Sequence, residues 1–285
     1  MIVIELCQEI WSKYMKTTKI ILLGTGTPNA LSNRYGSAIA ILVNQIPYIF
    51  DFGSGIVRRM KEAKIDLKNI VNVFLTHLHT DHTIGYPDLI FTTWVLGREK
   101  PLEVYGPPGL KHMTDQIISA YKEDIRARLD GLEPANTTGF KVKVHEIEPG
   151  KIYQDSNIQI DAFPVSHGLL RAYGYRIQTP DKVIVISGDT APSTELINYY
   201  SNCDILIHEV YSADKYNQLS PAWKKYHKAM HTSTFELGEI ASKVKPQLLI
   251  LYHQLFWGKS DEELVNEIKT KYDGLIISGK DLDEI

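Results

Sequence analysis

Cysteine is almost absent: 285 residues contain only Cys7 and Cys203. Two thiols make no disulfide framework, so the expected compartment is a reducing one, the cytoplasm. Long apolar runs are missing too; nothing approaches the roughly 18 consecutive apolar residues of a membrane span. Neither sign of charge dominates. A formal net charge of −3 gives no global attraction to nucleic acid and leaves only local basic patches to consider. The first fourteen residues carry Glu5 and Glu9 but neither a basic start nor a small-residue cleavage site, so they do not read as a signal peptide. Residues 1–18 are expected to form an N-terminal extension, either helical or a consequence of start-site choice ahead of Met15. One domain is expected over residues 19–285. What the chain does have is ordinary globular composition, 44% apolar and 23% charged, enough to bury a large core.

The most informative stretch is Thr76-His77-Leu78-His79-Thr80-Asp81-His82. It follows Ile70–Leu75, an apolar run that reads as a strand delivering these side chains to a loop. His77 and His79, two apart, point the same way if the chain is still extended. Asp81 by itself is explained equally well as a cap on a following helix with Ile84, Leu89, Ile90 and Trp94 on its apolar face. Three imidazoles and a carboxylate within six positions are better explained as part of a divalent metal site. Two zinc ions need further donors, with one carboxylate able to bridge. His167, Asp189 and His253 are the candidates, each expected just past an apolar strand.

The rest of the chain supplies the frame. Lys19–Leu23 is a strand candidate running into Gly24-Thr25-Gly26-Thr27-Pro28, a turn without the lysine of a P-loop or the third glycine of a dinucleotide fingerprint. Ala38–Val43 and Pro47–Phe50 read as a hairpin ending on Asp51, with a helix at Ile56, Val57 and Met60 behind it. Leu102–Tyr105 is a strand, Lys111–Arg126 one helix, and Ala127–Phe140 a polar surface excursion. Lys141–Ile147, Ile158–Phe163, Ala172–Gln178 and Val183–Ile186 are strands, and Ile205–Leu206 a short one ending on His208-Glu209. Ser233-x-x-Glu236 and Ser260-x-x-Glu263 are capping-box patterns opening helices on either side of the strand Leu248–Leu251. Leu275–Ile277 closes the chain. Hairpins first and strand–helix alternation later predict an α/β fold of two mixed sheets with helices outside.

His77-x-His79-x-Asp81-His82, followed in order by His167, Asp189 and His253, resembles the metallo-β-lactamase superfamily of metallohydrolases. Gly85-x-Pro87, Pro101-Leu102-x-x-Tyr105-Gly106-Pro107, His208-Glu209 and His231-Thr232-Ser233 look most like its ribonuclease Z, phosphodiesterase and arylsulfatase branch. The resemblance implies an αββα sandwich and two metals, zinc or else manganese or iron. One would be held by His77, His79 and His167, the other by Asp81, His82 and His253, with Asp189 bridging. It implies a bridging hydroxide attacking a phosphodiester, Asp81 accepting a proton, and Glu209 with His231 orienting and protonating the leaving group. A carboxylate beside an imidazole is expected to raise its pKa into the acid-donor range. A solvated Glu209 and a His231 that merely precedes a helix are the plain alternatives. Asp51 is a candidate to orient a metal-binding histidine. Aspartate at position 189, where β-lactamases carry cysteine, argues against β-lactam hydrolysis, and His79 argues against the redox-active flavodiiron branch. Cys203 reads as a buried small residue.

Substrate candidates are RNA, a small phosphodiester, a sulfate ester or a lactone, the last two making an arylsulfatase or lactonase the alternative. An alternative of another class is a non-catalytic nucleic-acid-binding scaffold. The resemblance also implies a homodimer. Ribonuclease Z relatives grip RNA with a long arm, often inserted between the third-motif histidine and the bridging aspartate. Here twenty-one residues separate His167 from Asp189, enough only for a hairpin. Tyr211–Met230 is a candidate lid, as is the Ala127–Phe140 excursion, and carries Tyr211, Tyr216, Trp223 and Tyr226 with Lys224, Lys225 and Lys228. It reads either as a nucleotide-stacking surface or as an amphipathic helix with a solvated basic face.

Overall fold

The computed structural model describes residues 18–285. The expected extension lies outside these residues except for Thr18, as does Cys7. Two mixed sheets pack face to face. The first has six strands in the order β1 (Thr18–Gly24), β2 (Ala38–Val43), β3 (Ile46–Phe50), β4 (Asn72–Phe74), β5 (Leu102–Gly106) and β6 (Val142–Glu146). β1–β3 are an antiparallel meander and β3–β6 run parallel. The second sheet has seven strands: β7 (Gly150–Gln154), β8 (Gln159–His167), β9 (Leu170–Gln178), β10 (Val183–Ile186), β11 (Ile205–Tyr211), β12 (Leu248–Leu255) and β13 (Ile276–Ser278). Here β7–β10 are antiparallel and β10–β13 parallel.

Strand alternation sorts the side chains into layers. Ile20 and Leu22 of β1 join Phe50, Phe74, Tyr175, Ile186 and Ile207 in the core between the sheets. Ile21 and Leu23, from the same strand, face outward under α1 (Ile56–Glu62), α2 (Thr80–Thr83) and α3 (Tyr86–Val95) and pack with Val57, Met60 and Leu89. α4 (Leu110–Ala120) and α5 (Lys122–Asp130) flank the same side. The outer face of the second sheet is covered by α6 (Leu196–Tyr200), α9 (Thr234–Val244) and α10 (Asp261–Lys269), which bury Leu237, Leu264 and Ile268 against Leu206 and Leu249. Two short helices, α7 (Ala213–Tyr216) and α8 (Pro221–Met230), sit between β11 and α9. The architecture is therefore the αββα sandwich.

Several elements differ from expectation. The helix expected over Lys111–Arg126 is two, broken at Tyr121, and the second runs to Asp130. What remains of the excursion is anchored: Asn136 donates to the carbonyl of Arg98, and Thr138 to that of Glu99. Ile84 is 62% exposed, because it falls between α2 and α3 rather than on a continuous apolar face. β7 and α6 were unexpected, and β11 runs on past His208-Glu209 to Tyr211 instead of ending there. In each case the local pattern was too short or too polar to announce an element that the neighbouring strands stabilise.

Candidate metal centre

The centre lies where ends of strands from both sheets meet. β4 delivers Thr76 to His79. The turn is pinned from the opposite sheet by Tyr173, whose N–H donates to the Thr76 carbonyl at 2.9 Å. Asp51, just past β3 and in the left-handed region at φ 58°, accepts from the Thr76 N–H at 2.8 Å and from its hydroxyl. Its other oxygen lies 2.8 Å from His82 Nδ1. That contact fixes the ring and leaves His82 Nε2, buried and without a hydrogen-bond partner, facing inward. Asp81 does not cap its helix; its carboxylate meets His253 Nε2 at 3.0 Å.

His167 ends β8, and its Nδ1 donates to the Met230 carbonyl at 2.8 Å. Its Nε2 and that of His77 each lie 3.0 Å from His79 Nδ1. His253 does not follow a strand but stands inside β12. There Tyr252 pairs with Glu209 and Gln254 with Val210, so His253 is the extra residue of a bulge, at φ 46°. Asp189 follows Gly188, whose φ of 61° and 2.6 Å approach of a would-be Cβ to the Tyr173 carbonyl leave room only for glycine. Asp189 Oδ2 occupies the middle: His77, His82, His167, His231 and His253 each place a ring nitrogen between 3.4 and 4.0 Å from it.

All seven expected donors thus converge on one buried point, and triads among them bring their ligand atoms within 4.8 Å of one another. Three imidazole nitrogens facing one another at hydrogen-bond distance is an arrangement for a shared cation. The unpartnered buried atoms His82 Nε2 and Asp189 Oδ1 belong to the same donor set. The residues fit divalent metal binding.

Electrostatics agree. Burial drives His77 well below the ordinary imidazole value, assisted by His82, and holds His167 at about 4 against the pull of Asp189. Both rings therefore offer neutral lone pairs, as ligation requires. Burial works to raise Asp81, but His82 and the bond from His253 outweigh it and hold the carboxyl at about 2. His82 and His253 are the exceptions: burial lowers both, yet Asp189 and Asp51 together push His82 well up, and Asp189 with the bond to Asp81 raises His253.

Glu209 is fully buried rather than solvated, and accepts from the N–H of Thr232 at 2.8 Å and of Thr190 at 3.3 Å. Its remaining oxygen stands 3.4 Å from His231 Nδ1. Burial, then the charge of Asp189, raises Glu209 well above the carboxylate range. Burial lowers His231 to about 4. That direction is opposite to the expected rise, because the pair is enclosed and loses more from desolvation than it gains from attraction. His208, beside Glu209, turns away to Tyr200.

The centre opens into a cavity of about 430 Å³ that His231 and Asp81 line along with Trp223, Tyr226, His227 and Trp257. Of these, Trp257 and His227 were not anticipated, nor were Thr76 and the Met230 carbonyl. A backbone carbonyl leaves no mark in a sequence, and Trp257 is brought in only by the end of β12.

Comparison with known proteins agrees with this geometry. Residues 41–254 match the family model described as Beta-lactamase superfamily domain. A Ribonuclease Z of Mycobacterium bovis (strain BCG / Pasteur 1173P2) is 28% identical over 94% of this chain and 97% of its own length. A Ribonuclease Z of Mycobacterium sp. (strain KMS) is 29% identical over 83% of this chain and 84% of its own. Among solved structures, the metallo-beta-lactamase fold protein YhfI from Bacillus subtilis superposes with a TM-score of 0.75 at 21% identity, over 94% of this chain and 98% of that one. Human tRNase Z, short form, superposes with a TM-score of 0.70 at 21% identity over the same shares.

Proposed function

Because the chain belongs to the beta-lactamase superfamily, we propose that it is a metal-dependent hydrolase that cleaves phosphodiesters at the His–Asp centre. The observation that carries the proposal is the position of Asp189 Oδ2, within 4.0 Å of ring nitrogens from five histidines. We assign His77, His79 and His167 to one cation, Asp81, His82 and His253 to the other, and Asp189 to both. The nitrogen-rich set favours zinc, with manganese or iron as the alternatives that metal analysis distinguishes. Two cations held there would supply an acidified water and stabilise negative charge growing on the phosphoryl oxygens.

The chain's own groups do the rest. Asp81, ionised at neutral pH, orients the attacking water and takes its proton. Glu209 Oε2 faces His231 Nδ1 and holds the ring, leaving Nε2 to the cavity. As the water oxygen bonds to phosphorus and the ester P–O bond breaks, the neutral His231 ring passes its Nε2 proton to the departing oxygen while the proton that burial keeps on Glu209 moves to Nδ1, so the ring stays neutral and Glu209 ends as the carboxylate. The name Ribonuclease Z on the relatives makes RNA one candidate ester. Between His167 and Asp189 the structure has only β9, β10 and their tight turns. We take residues 19–285 as one hydrolase domain acting in the cytoplasm, and a homodimer as its assembly, to be read by light scattering.

The test is turnover of bis-p-nitrophenyl phosphate, p-nitrophenyl sulfate and an acyl-lactone by metal-loaded protein. Phosphodiester turnover above the other two is expected; none at all removes the proposal. His231→Ala should keep its metal and lose about 10²-fold or more in kcat. Unchanged turnover takes His231 out of the mechanism, and lost metal makes its role structural.

A further inference from the structure

The cavity has two chemically different ends. One is the His–Asp centre; the other is an aromatic wall from α8 and the end of β12. Trp223 and Tyr226 are 57% and 41% exposed, a large apolar area for one helix face to leave uncovered. They meet edge to face at 5.5 Å. Trp223 stacks on His227 at 5.6 Å, and Trp257 meets the same imidazole at 4.7 Å. His227 is buried, yet its Nδ1 has no hydrogen-bond partner. Behind the wall Tyr211 and Tyr216 stack on each other at 5.3 Å, so the platform is backed rather than loose.

Two further observations narrow what it fits. Tyr226 and His227 stand 6.3 and 5.7 Å from His231, which puts the wall on the side of the proton donor and hence of the departing oxygen. No lysine or arginine lines the cavity among the described residues. The lysines of α8 look elsewhere: Lys224 reaches over the Tyr216 ring at 5.9 Å, and Lys225 and Lys228 face solvent. A chain of phosphates would need countercharges along its path; a single ester needs only the centre.

We propose that this wall is a subsite for a planar aromatic ring on the substrate's leaving group, and that the substrate is a small ester with one phosphate. The proposal rests on the hydrolase reading above and adds the class of ester. A volume of about 430 Å³ suits a ring and its phosphate, within the usual range for small-ligand sites.

Calorimetric titration of the metal-loaded protein with phenylphosphonate and methylphosphonate, ligands of equal charge, tests it without turnover. Phenylphosphonate is expected to bind roughly tenfold tighter or more. Trp223→Ala should bring that ratio near one and leave methylphosphonate affinity unchanged, while Trp223→Phe, which keeps a ring, should retain it. Adenosine monophosphate against ribose 5-phosphate is the second arm: a preference there assigns the ring to a nucleobase, and a preference confined to phenyl assigns it to a simple aryl ester. Equal affinities in wild type, equal losses for both ligands in Trp223→Ala, or binding of neither would overturn the subsite. An oligoribonucleotide binding more than about tenfold tighter than the mononucleotide would overturn the single-phosphate assignment. Bis-p-nitrophenyl phosphate turnover is read on the same preparation. Turnover without a phenyl preference removes the subsite alone; a phenyl preference without turnover removes the reaction alone.

Discussion

Asp51 shows how much one side chain outside the donor set can govern. It joins the Thr76 backbone, the Thr76 hydroxyl and the His82 ring through two carboxylate oxygens. The sequence offered it as a group that could orient a histidine, but equally as the end of a strand, and the bond to His82 settles its local role. Asp51→Ala is expected to lower metal affinity or activity roughly 10–100-fold, with the secondary-structure circular dichroism unchanged. Metal retained at the wild-type level with normal turnover would show that His82 holds its orientation unaided. Since a strand-end glutamate and a histidine before a helix are ordinary by themselves, Glu209 and His231 were legible only through the resemblance carried by His208-Glu209 and His231-Thr232-Ser233. Their enclosure was not, and enclosure reverses the direction in which His231 moves.

At the level of elements, short-range signals worked where the chemistry is local. Both capping boxes form as the sequence implies: the Ser260 hydroxyl accepts from the Glu263 N–H while the Glu263 carboxylate accepts from the Ser260 N–H. Ser260→Ala should cost about 1 kcal/mol, read as a lower denaturation midpoint with the denaturant slope and the activity unchanged. No shift would mean that Arg34, paired with Asp261 in the same first turn, holds this end alone. Signals failed where pairing decides. β7 has no apolar alternation strong enough to declare it, yet β8 pairs with it. His253 was expected beyond its strand, because a bulge is a mismatch between two registers and neither strand carries it alone.

Across the whole molecule the two sheets are also tied together between β3 and the turn that joins β7 to β8. Tyr48 of β3 donates to Asp155, in the turn between β7 and β8, at 2.6 Å, and Tyr153 donates to the same carboxylate. Burial works to raise Asp155, but the bonds from Tyr48, the Asn157 N–H and Tyr153 outweigh it and hold the carboxyl below its ordinary value. A depressed folded-state pKa stabilises the fold fully above the unfolded value of about 3.9. The contribution is lost as pH falls from there through the folded value. Wild type should therefore lose thermal stability more steeply than Asp155→Asn below about pH 4, and parallel curves would show that the tie carries no pH-dependent energy. The ligand types, their order and the strands that carry most of them were determined by the sequence, since a metal site needs particular side chains and strands need particular alternation, both local properties. The tertiary structure alone decided that seven donors from four separate segments share one point, that His253 arrives by a bulge, and that the cavity beside them is walled with aromatic rings. Those are relations between distant strands, and a pattern read along one chain carries no information about distances across it.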